Sequence, residues 1–445
     1  MKINIVYEIN NREYINCVLL ERELVRRGHK VRIYNKQEEI AIGKPADVTI
    51  IPNSYRTQDV DYYQYLFNAN NNLMIIYPCE QVTNYTLPKF FDYTSSNKAK
   101  MLPHMCWGKD YYNFIKSLGF DMTFTKITGA IQLDLSRKEF ACLYHSKKEF
   151  AEEFKLPAQK KWIMFISDFV YISEQKVRTS IGCGESDSNE LWERHEFEKK
   201  TRNELLKWFK TFLDTHNDYI IIYRKHPVEM LTEDIQKFID KNKDNFYAIS
   251  KYSIKEWIFN VDYITSWDST TVVECIAAGK KMALLRPFDF VKKDEIQEYS
   301  FYKDYCKIRN YDDFENSMIK GIPDYTKGTL DEVEKLYSIE SRLSVQRMAD
   351  AIEQTFKEWQ PQKKKNSKMF FFKRWLFIFK RMLPFKMLIK AVYKALYINF
   401  GFSLSSPKET KLAIIEWEAT ANNKKKHSEI ALKIDRILKQ KTNER

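Results

Sequence analysis

Three basic side chains follow the most strand-like run of the chain, in the order Arg224, Lys225 and His226. The run itself, residues 219–223, consists of Tyr and Ile and predicts a buried β-strand. Ligands of open parallel sheets bind beyond the carboxyl ends of the strands, and cationic groups held there by the proline at 227 suit a phosphate. The alternative is structural: the first two side chains are solvated and the imidazole packs against the proline.

A hydroxyl-rich turn, residues 266–271, lies between a predicted strand at 262–265 and a predicted helix at 270–278. Ser266, Ser269 and Thr270 offer hydroxyls there, and the start of the helix offers free N–H groups and the positive end of its dipole to an anion. Glu274, one turn further on, can accept hydrogen bonds from a sugar diol. The same pattern also matches a capping box from 271 to 274 and a glycine stop at 279, and that interpretation needs no ligand.

Acidic and amide side chains follow two predicted strands nearer the N-terminus. Glu80 comes just after a strand at 73–78, and a carboxylate there can act as a general base where burial raises its pKa toward neutrality. The alternative is a solvated loop acid. The residues that follow the first strand, at 2–7, and are candidates for an acceptor site are Glu8, Asn11, Arg12 and Glu13. The favoured alternative for these four is that they cap the helix predicted at 13–27.

Short apolar strands alternate with helices in two series, which predicts parallel sheets covered on both faces. The fold class is therefore α/β, with two Rossmann-like, doubly wound domains that face a cleft and a basic helical C-terminal appendage. The predicted boundaries are an N-terminal acceptor domain at 1–135, a linker at 136–160, a C-terminal nucleotide-donor domain at 161–330, a long closing helix at 331–360 and a tail at 361–445.

Charge is distributed unevenly along the 445 residues. The net charge is +13, and residues 361–400 hold eleven Lys and Arg without one acidic residue, so residues 1–360 are near neutral. With 44% hydrophobic and 30% charged residues, the composition excludes a disordered chain and a multispanning membrane protein. The seven cysteines form no C-x-x-C pair, which fits a reducing cytoplasm and gives no zinc signature. Because the chain enters a strand at once, we expect no signal peptide.

Residues 361–400 intersperse aromatic side chains among the basic ones. Lys386, Lys390 and Lys394 are four residues apart and share one face of a predicted helix, and the uncharged runs are too short to span a bilayer. This pattern predicts an amphipathic helix lying on an anionic membrane surface. The alternatives are a helix packed on the body with its lysines in water, and a site for single-stranded nucleic acid. The near-neutral body argues against nucleic acid because it offers no second basic groove.

These elements together resemble a known group of enzymes. His226-Pro227, Ser269-Thr270 with Glu274, and Gly279-Lys280 look like the nucleotide-binding half of bacterial GT-B transferases. Those are the polysialyltransferase, capsule Kdo-transferase and CDP-glycerol glycerophosphotransferase groups and the surface carbohydrate biosynthesis protein family. The elements of the first half that look like the last family are Tyr7-Glu8 with Asn11-Arg12-Glu13, Arg27-Gly28-His29, Trp107-Gly108, and Thr128-Gly129 with Asp134. The resemblance covers roughly residues 1–290.

The resemblance implies a role for each site residue. His226 would contact the donor phosphate and stabilise the leaving nucleotide. Ser269 and Thr270 would hold the phosphate, and Glu274 would bind the ribose. Glu80 stands where polysialyltransferase-like enzymes carry an acidic pair followed by glycine, although this chain has one acid and no glycine there. The donor would be CMP- or CDP-linked, and the reaction would need no metal and no further cofactor, since no D-x-D element stands in the candidate loops.

The sequence therefore predicts a glycosyltransferase, or a glycerophosphate-type transferase, that acts on a growing surface polysaccharide or glycolipid. Its expected place is the cytoplasmic face of the plasma membrane, and its expected partners are the nucleotide-sugar donor, the glycan or glycolipid acceptor and the anionic membrane, without nucleic acid. Two alternatives stay open. One is a nucleotide-sugar epimerase of the same fold, which would act on free nucleotide sugar and need no membrane-seeking tail. The other is a non-catalytic, membrane-associated glycan-assembly protein.

Overall fold

Apolar, β-branched runs form the strands of two parallel sheets in the computed structural model of the chain. The structure describes residues 1–36, 43–54, 57–69, 72–82, 97–182, 188–289, 299–359, 367–382 and 425–440. Two units emerge from the contacts within the chain: Met1–Leu135 together with Glu334–Arg445, and Ser136–Val333.

The first unit contains a sheet whose four described strands are parallel and follow the order β2-β1-β3-β4. Its elements up to residue 135 are β1 (Lys2–Tyr7), α1 (Asn10–Arg26), β2 (Lys30–Asn35), β3 (Val48–Ile51), α2 (Thr57–Phe67), β4 (Leu73–Ile76), α3 (Asn97–Lys100), β5 (Met105–Cys106), α4 (Lys109–Ser117), β6 (Lys126–Ile127) and α5 (Ile131–Asp134). The chain goes from β1 to β2 on one side and returns to β3 on the other. The topological switch point, where such sheets bind ligands, therefore lies between β1 and β3.

The second unit contains a sheet with six described strands, all parallel, in the order β12-β11-β10-β7-β8-β9. Its elements are α6 (Lys147–Phe154), β7 (Lys161–Ile166), α7 (Glu174–Gly182), α8 (Ser188–Thr215), β8 (Tyr219–Arg224), α9 (Glu233–Lys241), β9 (Phe246–Ala248), α10 (Ile254–Asn260), β10 (Tyr263–Ser266), α11 (Val272–Ala277), β11 (Met282–Leu285), β12 (Lys307–Ile308) and α12 (Tyr311–Lys320). Here the switch point lies between β7 and β10. Ile166 pairs with Arg224 on one side and with Ser266 on the other, so the residues after these three strands meet at one edge.

The apolar strands predicted from the sequence are present, but three connections differ from expectation. Helix α1 begins at Asn10 rather than at 13. The segment 136–160, predicted as a linker, holds a 3₁₀ turn (Lys138–Leu143) and helix α6 with a Ser146–Glu149 capping box, and it belongs to the second unit. The polar run at 179–188, whose composition predicts a loop, starts inside α7, which extends to Gly182.

The prediction of a single closing helix over 331–360 is wrong, because the structure has two helices there. These are α13 (Lys327–Tyr337) and α14 (Ser344–Glu358), separated by Ser338 at a left-handed φ of 47°. The first turn of α14 has no cap from its own N-cap residue, Leu343. Instead the buried Asp134 accepts hydrogen bonds from the backbone N–H groups of Ser344 (2.9 Å) and Val345 (2.8 Å). The periodicity of the sequence cannot reveal this cap, which comes from more than two hundred residues away.

The tail has two described helices, and both pack on the first unit. Helix α15 (Ser367–Met382) lies on α2, where Arg374 Nε donates to the Tyr65 carbonyl (3.0 Å) and Phe377 contacts Tyr62 with a ring-centroid distance of 5.6 Å. A further helix, α16 (425–440), packs on α1 through a bidentate ion pair from Arg22 to Asp435. The predicted lysine face at 386, 390 and 394 lies outside the described residues.

Among the helices that the structure describes, none combines the length and the apolar character needed to cross a bilayer. The two faces of helix α15 have different surroundings. One face packs on α2, while the opposite face leaves large apolar side chains exposed: Met369, Phe371, Phe372, Trp375 and Phe379. The interpretation that this segment packs on the body therefore holds for one face of α15 only.

The cap that Asp134 supplies to α14 leads to a stability prediction. Asp134→Ala should lower the free energy of unfolding by about 1–3 kcal/mol, because two buried N–H groups lose their acceptor. Asp134→Asn should lose less, since the amide keeps one acceptor oxygen. Urea unfolding measures both. The control Asp240→Ala, at an exposed site on α9, should stay within about 0.5 kcal/mol of the parent, and an equal effect at both positions would contradict the cap.

Candidate functional site

The carboxyl edge of the second sheet gathers side chains from the loops after β7, β8 and β10. Ser167-Asp168 follow β7, Lys225-His226 follow β8, and Trp267-Asp268-Ser269 follow β10. Because β7 lies between β8 and β10, the predicted phosphate residues His226 and Ser269 stand on the two sides of the switch point. The register alone explains this meeting of residues that are more than forty positions apart in the chain.

His226 is held by its backbone and keeps a partly exposed ring. Its N–H donates to the carboxylate of Glu229 (3.2 Å), and its Nδ1 accepts the N–H of Val228 (3.4 Å). Since Nδ1 is an acceptor, the neutral ring carries its proton on Nε2, which lies 3.8 Å from Asp168 Oδ1. Burial and then the charge of Lys225 lower the pKa of His226, which keeps the ring neutral at pH 7.

Arg224 and Lys225 have structural partners within the second unit. Arg224 donates to the carbonyls of Lys251 (3.2 Å) and Tyr252 (2.5 Å), and burial lowers its pKa to about 10. Lys225 Nζ donates to the carbonyl of Glu229 (3.0 Å). Both side chains therefore hold neighbouring loops in place. This role differs from the predicted contact with a phosphate and from the alternative that the two side chains are solvated.

The hydroxyl-rich turn divides into buried and accessible parts. Ser266 is fully buried and donates to the Ile166 carbonyl (3.2 Å), so its hydroxyl is already used inside the sheet. Ser269 and Thr270 are half-buried, and Ser269 Oγ hydrogen-bonds Thr271 Oγ1 (2.9 Å). The capping box predicted from 271 to 274 does not form, because Thr271 makes no side-chain cap to α11.

Glu274 faces a lysine that the sequence analysis did not single out. Lys255 Nζ, on α10, lies 3.9 Å from its carboxylate, and both side chains are mostly buried. Burial raises the pKa of Glu274, and Lys255 opposes that shift. Gly279 has φ +67° and ends α11, which confirms the glycine-stop interpretation.

A network of buried charges lies beneath this edge and was missed from sequence. It comprises the carboxyls of Asp168, Glu198, Glu229 and Asp268 and the guanidiniums of Arg194, Arg202 and Arg286. Asp168 and Asp268 come directly after strands, so the rule that found His226 could also have found them. Arg194 and Glu198 pair one turn apart on α8, a spacing that the sequence does show, whereas Arg202 pairs with the distant Asp234 and leaves no local pattern.

The carboxyl edge of the first sheet carries a second polar cluster at its own switch point. Glu8, after β1, accepts from Asn53 Nδ2 (2.5 Å), after β3, and pairs with Lys36 Nζ (2.9 Å), after β2. Glu13 is buried and accepts the backbone N–H of Glu8 (2.8 Å), so it does fasten the start of α1. Asn11 lies in the first turn of that helix.

Glu80 joins the same cluster through Arg12. The guanidinium contacts Glu80 Oε2 (3.5 Å), Glu13 Oε1 (3.3 Å) and Cys79 Sγ (2.9 Å). Partial burial raises the pKa of Glu80, and Arg12 opposes the shift. Burial raises the pKa of the Cys79 thiol to about 12, so this cysteine stays protonated. The structure thus brings together three of the four predicted acceptor residues, Glu8, Arg12 and Glu13, with Glu80, and adds Lys36 and Asn53.

Neither of these edges offers an arrangement typical of a metal site. Within the described ranges, no group of three or more His, Cys, Asp or Glu side chains has the geometry to hold a metal ion.

Comparison of the sequence gives no match, either to a family model or to a curated protein. Comparison of the structure does give matches. A protein from Listeria monocytogenes assigned as a UDP-N-acetylglucosamine 2-epimerase superposes with a TM-score of 0.50 at 11% identity, covering 82% of this chain and 98% of that one. The chain has the GT-B fold. The prediction of two Rossmann-like halves is therefore confirmed. At 11% identity the likeness concerns the fold alone.

Two other structures match at lower scores. The UDP-GlcNAc 2-epimerase from Methanocaldococcus jannaschii has a TM-score of 0.47 at 12% identity, over 80% of this chain and 100% of its own. The wall teichoic acid polymerase TagF has a TM-score of 0.44 at 11% identity, over 80% of this chain and 89% of its own.

The loop that holds His226 depends on Glu229, which gives a second prediction. Glu229 is buried and accepts from Tyr223 OH (2.5 Å), from Ser167 Oγ and from the His226 N–H. Glu229→Ala should lower the free energy of unfolding by about 1–3 kcal/mol, because buried hydroxyls lose their acceptor. Urea unfolding provides the measurement.

The matched control for Glu229→Ala is Glu233→Ala, an exposed glutamate four residues along the chain. It should change stability by less than about 0.5 kcal/mol. If Glu229→Ala unfolds like the parent, the carboxylate does not hold this loop.

Proposed function

We propose that the chain is a transferase that moves a sugar, or a glycerophosphate, from a CMP- or CDP-linked donor to a growing surface polysaccharide or glycolipid at a membrane face. The single observation that carries the proposal is that His226 and the Ser269–Thr270 turn follow strands on the two sides of the switch point, at one edge of the second sheet. GT-B proteins offer two Rossmann-like sheets for a donor and an acceptor, and the two polar edges of this chain suit that division.

The neutral imidazole of His226 suits the leaving nucleotide. When the bond to the donor phosphate breaks, negative charge grows on the phosphate oxygen. A fixed N–H donor stabilises that charge most where it develops, and a preorganised donor of this type contributes a factor of about 10²–10³ in rate. Nε2 of His226 carries the proton and is partly exposed, so it is the donor we assign to the phosphate. The half-buried hydroxyls of Ser269 and Thr270 supply further donors.

The acceptor hydroxyl must lose its proton as it attacks, and Glu80 is the base we assign. A carboxylate works best as a base when its pKa approaches the working pH. Partial burial shifts the pKa of Glu80 in that direction, and Arg12 fixes the carboxylate at the rim of the first sheet. Glu8, Asn53 and Lys36 offer both acceptors and donors nearby, which suits a hydroxylated acceptor such as a sugar.

Helix α15 supports the membrane part of the proposal. Its exposed face presents Phe371, Phe372, Trp375 and Phe379, and Lys368 and Lys373 are exposed beside them. Aromatic and basic side chains on one amphipathic helix are typical of segments that lie in an anionic bilayer surface, where each cation adds about 1 kcal/mol. An enzyme acting only on free nucleotide sugar has no need of this face.

The reaction itself can be tested with two substitutions. His226→Ala should lower the formation of membrane-bound product from CMP- and CDP-linked donors by about 10²–10³, and Glu80→Gln by about 10²–10⁴, because the first loses the phosphate donor and the second the base. Transfer of label from donor to a membrane fraction, with release of free nucleotide, measures both.

The control for the transfer assay is Glu233→Gln, which replaces an exposed carboxylate at the start of α9 with a carboxamide and should leave the rate unchanged. Transfer that survives both substitutions would contradict catalysis by these residues. Interconversion of free UDP-N-acetylglucosamine without an acceptor would support the epimerase alternative instead. A protein that binds vesicles and performs neither reaction would fit the assembly-protein alternative.

Membrane association can be tested on the exposed face of α15. Combined replacement of Phe371, Phe372, Trp375 and Phe379 by Ser should weaken binding to vesicles containing phosphatidylglycerol by at least about tenfold, since a buried aromatic ring contributes about 1.5–3 kcal/mol. Vesicle co-sedimentation at low and high salt measures the effect.

A matched control replaces four exposed apolar residues elsewhere in the chain by Ser: Met101, Ile319, Leu330 and Leu432. This control should bind vesicles like the parent. Equal binding by the α15 variant and the control would show that the aromatic face does not enter the bilayer.

A further inference from the structure

Four largely buried carboxyls and three guanidiniums share the space under the second switch point, and one of the guanidiniums, Arg202, also pairs with the half-exposed Asp234, so the carboxylates outnumber the guanidiniums when all are ionised. The carboxyls belong to Asp168, Glu198, Glu229 and Asp268, and the guanidiniums to Arg194, Arg202 and Arg286. His226, next to them, is neutral at pH 7. Isolated buried charges are costly, and a proton on one carboxyl reduces this excess of negative charge.

Hydrogen bonding indicates which carboxyl takes the proton. Glu198 accepts from Arg194 (2.8 Å) and from the Tyr171 N–H (2.7 Å). Asp268 accepts from Arg286 (2.7 Å). Each of these partners stabilises the ionised form.

Glu229 and Asp168 differ in the same respect. Glu229 accepts from Tyr223, Ser167 and the His226 N–H. Across the described parts of the chain, by contrast, no hydrogen bond to the Asp168 carboxyl forms, and the neutral His226 ring lies 3.8 Å away through its Nε2. Protonation of Asp168 therefore disrupts fewer hydrogen bonds than protonation of the other three carboxyls.

Burial raises the pKa of Glu198 to about 7 and also raises that of Glu229, and the rise is strongest at Asp168. Burial, followed by the charge of Asp268, raises the pKa of Asp168 well above its usual range, while Arg194 acts in the opposite direction. Glu198 and Glu229 add to the rise. The groups that face Asp168 from the surrounding elements are thus Arg194 and Glu198 on α8, His226 and Glu229 after β8, and Asp268 after β10.

We propose that Asp168 carries a proton in the folded protein and donates it in a hydrogen bond to the same anionic group that His226 contacts, so that anion binding at this edge weakens as Asp168 ionises. The Asp168 side chain is about one-fifth exposed, so the hydroxyl of the acid is within reach of a ligand. Two donors 3.8 Å apart, Asp168 and Nε2 of His226, can both reach oxygens of one phosphate. This proposal rests on the proposed function, since it takes the anion to be the phosphate of a nucleotide.

The sign of the pH effect follows from linkage. A proton that is bound more tightly in the folded and liganded protein stabilises those states at low pH, and the stabilisation is lost as the pH rises through the raised pKa. Above that pKa the affinity of the parent should fall by up to about tenfold per pH unit, the limit for one linked proton. Asp168→Asn keeps a donor and cannot ionise, so its affinity should lack this fall.

The experiment is a calorimetric titration of the full-length protein with CDP and UDP from pH 5.5 to 9, for the parent, Asp168→Asn, Asp168→Ala and Asp214→Asn. The last is a surface control, an exposed aspartate paired with Lys210 on α8. The nucleotide phosphate also ionises near pH 6, and that contribution is common to all four proteins. We expect a fall with pH in the parent and the surface control, a weaker pH dependence in Asp168→Asn, and weak binding at every pH in Asp168→Ala.

A second measurement follows the proton without any ligand. The melting temperature of Asp168→Asn should rise relative to the parent as the pH increases from 5.5 to 9. The unfolded parent loses the Asp168 proton at a lower pH than the folded parent, so rising pH destabilises the parent, and the asparagine has no such proton. An equal pH dependence of the melting temperature and of nucleotide affinity in the parent and in Asp168→Asn would overturn the proposal while leaving the proposed function intact. Failure of all four proteins to bind either nucleotide at any pH would overturn both.

Discussion

The placement of His226 depends on a single buried carboxylate, Glu229. It accepts from the end of β7 through Ser167, from β8 through Tyr223 and from the His226 backbone, so it joins two strands to the loop that leaves them. A carboxylate in this position must be surrounded by donors, and that requirement fixes the loop more tightly than packing alone. Lys225 Nζ also donates to the Glu229 carbonyl, whereas Arg224 donates to the carbonyls of Lys251 and Tyr252 in a neighbouring loop. Lys225 and Glu229 thus hold the loop that carries the imidazole.

The motifs of the first half that suggested a surface-glycan family have mainly architectural roles in this structure. Arg27 and His29 pair with Asp350 and Glu353 on α14, and Asp134 caps the same helix. Gly108 and Gly129 leave room where a side-chain carbon would overlap α13 or α14. These motifs therefore share one role, which is to attach α13 and α14 to the first unit. Any protein of this architecture needs such an attachment, whatever its substrate. Their presence indicates fold more strongly than it indicates chemistry.

The alternation of apolar strands and helices was sufficient to predict both parallel sheets, because buried parallel strands are apolar on both faces and stand out locally. The rule that polar residues after strands are candidate site residues selected His226, Ser269, Glu8 and Glu80, whose roles stay predictions. It should have found Asp168 as well. The sequence could not predict the break at Ser338 or the ion pair of Arg202 on α8, because a cap from Asp134 and a partner as distant as Asp234 leave no local pattern. Ser266 was misjudged for a related reason: whether a hydroxyl faces the solvent or the next strand depends on the register.

The last question is why a water-soluble surface would keep four large aromatic side chains exposed on α15. The helix already satisfies its packing through the opposite face, where Phe370, Arg374 and Phe377 contact α2. Exposed aromatic area of this kind is unfavourable in water and promotes association unless a partner covers it. The segment from 361 to 400 contains no acidic residue, so a basic or neutral partner gains nothing from its charge. An anionic, apolar-cored surface satisfies both requirements at once, and a bilayer is the commonest surface with those two properties. Docking on α2 would then hold the aromatic face in a fixed orientation on the first unit, the unit to which the polar cluster of Glu8, Arg12 and Glu80 also belongs.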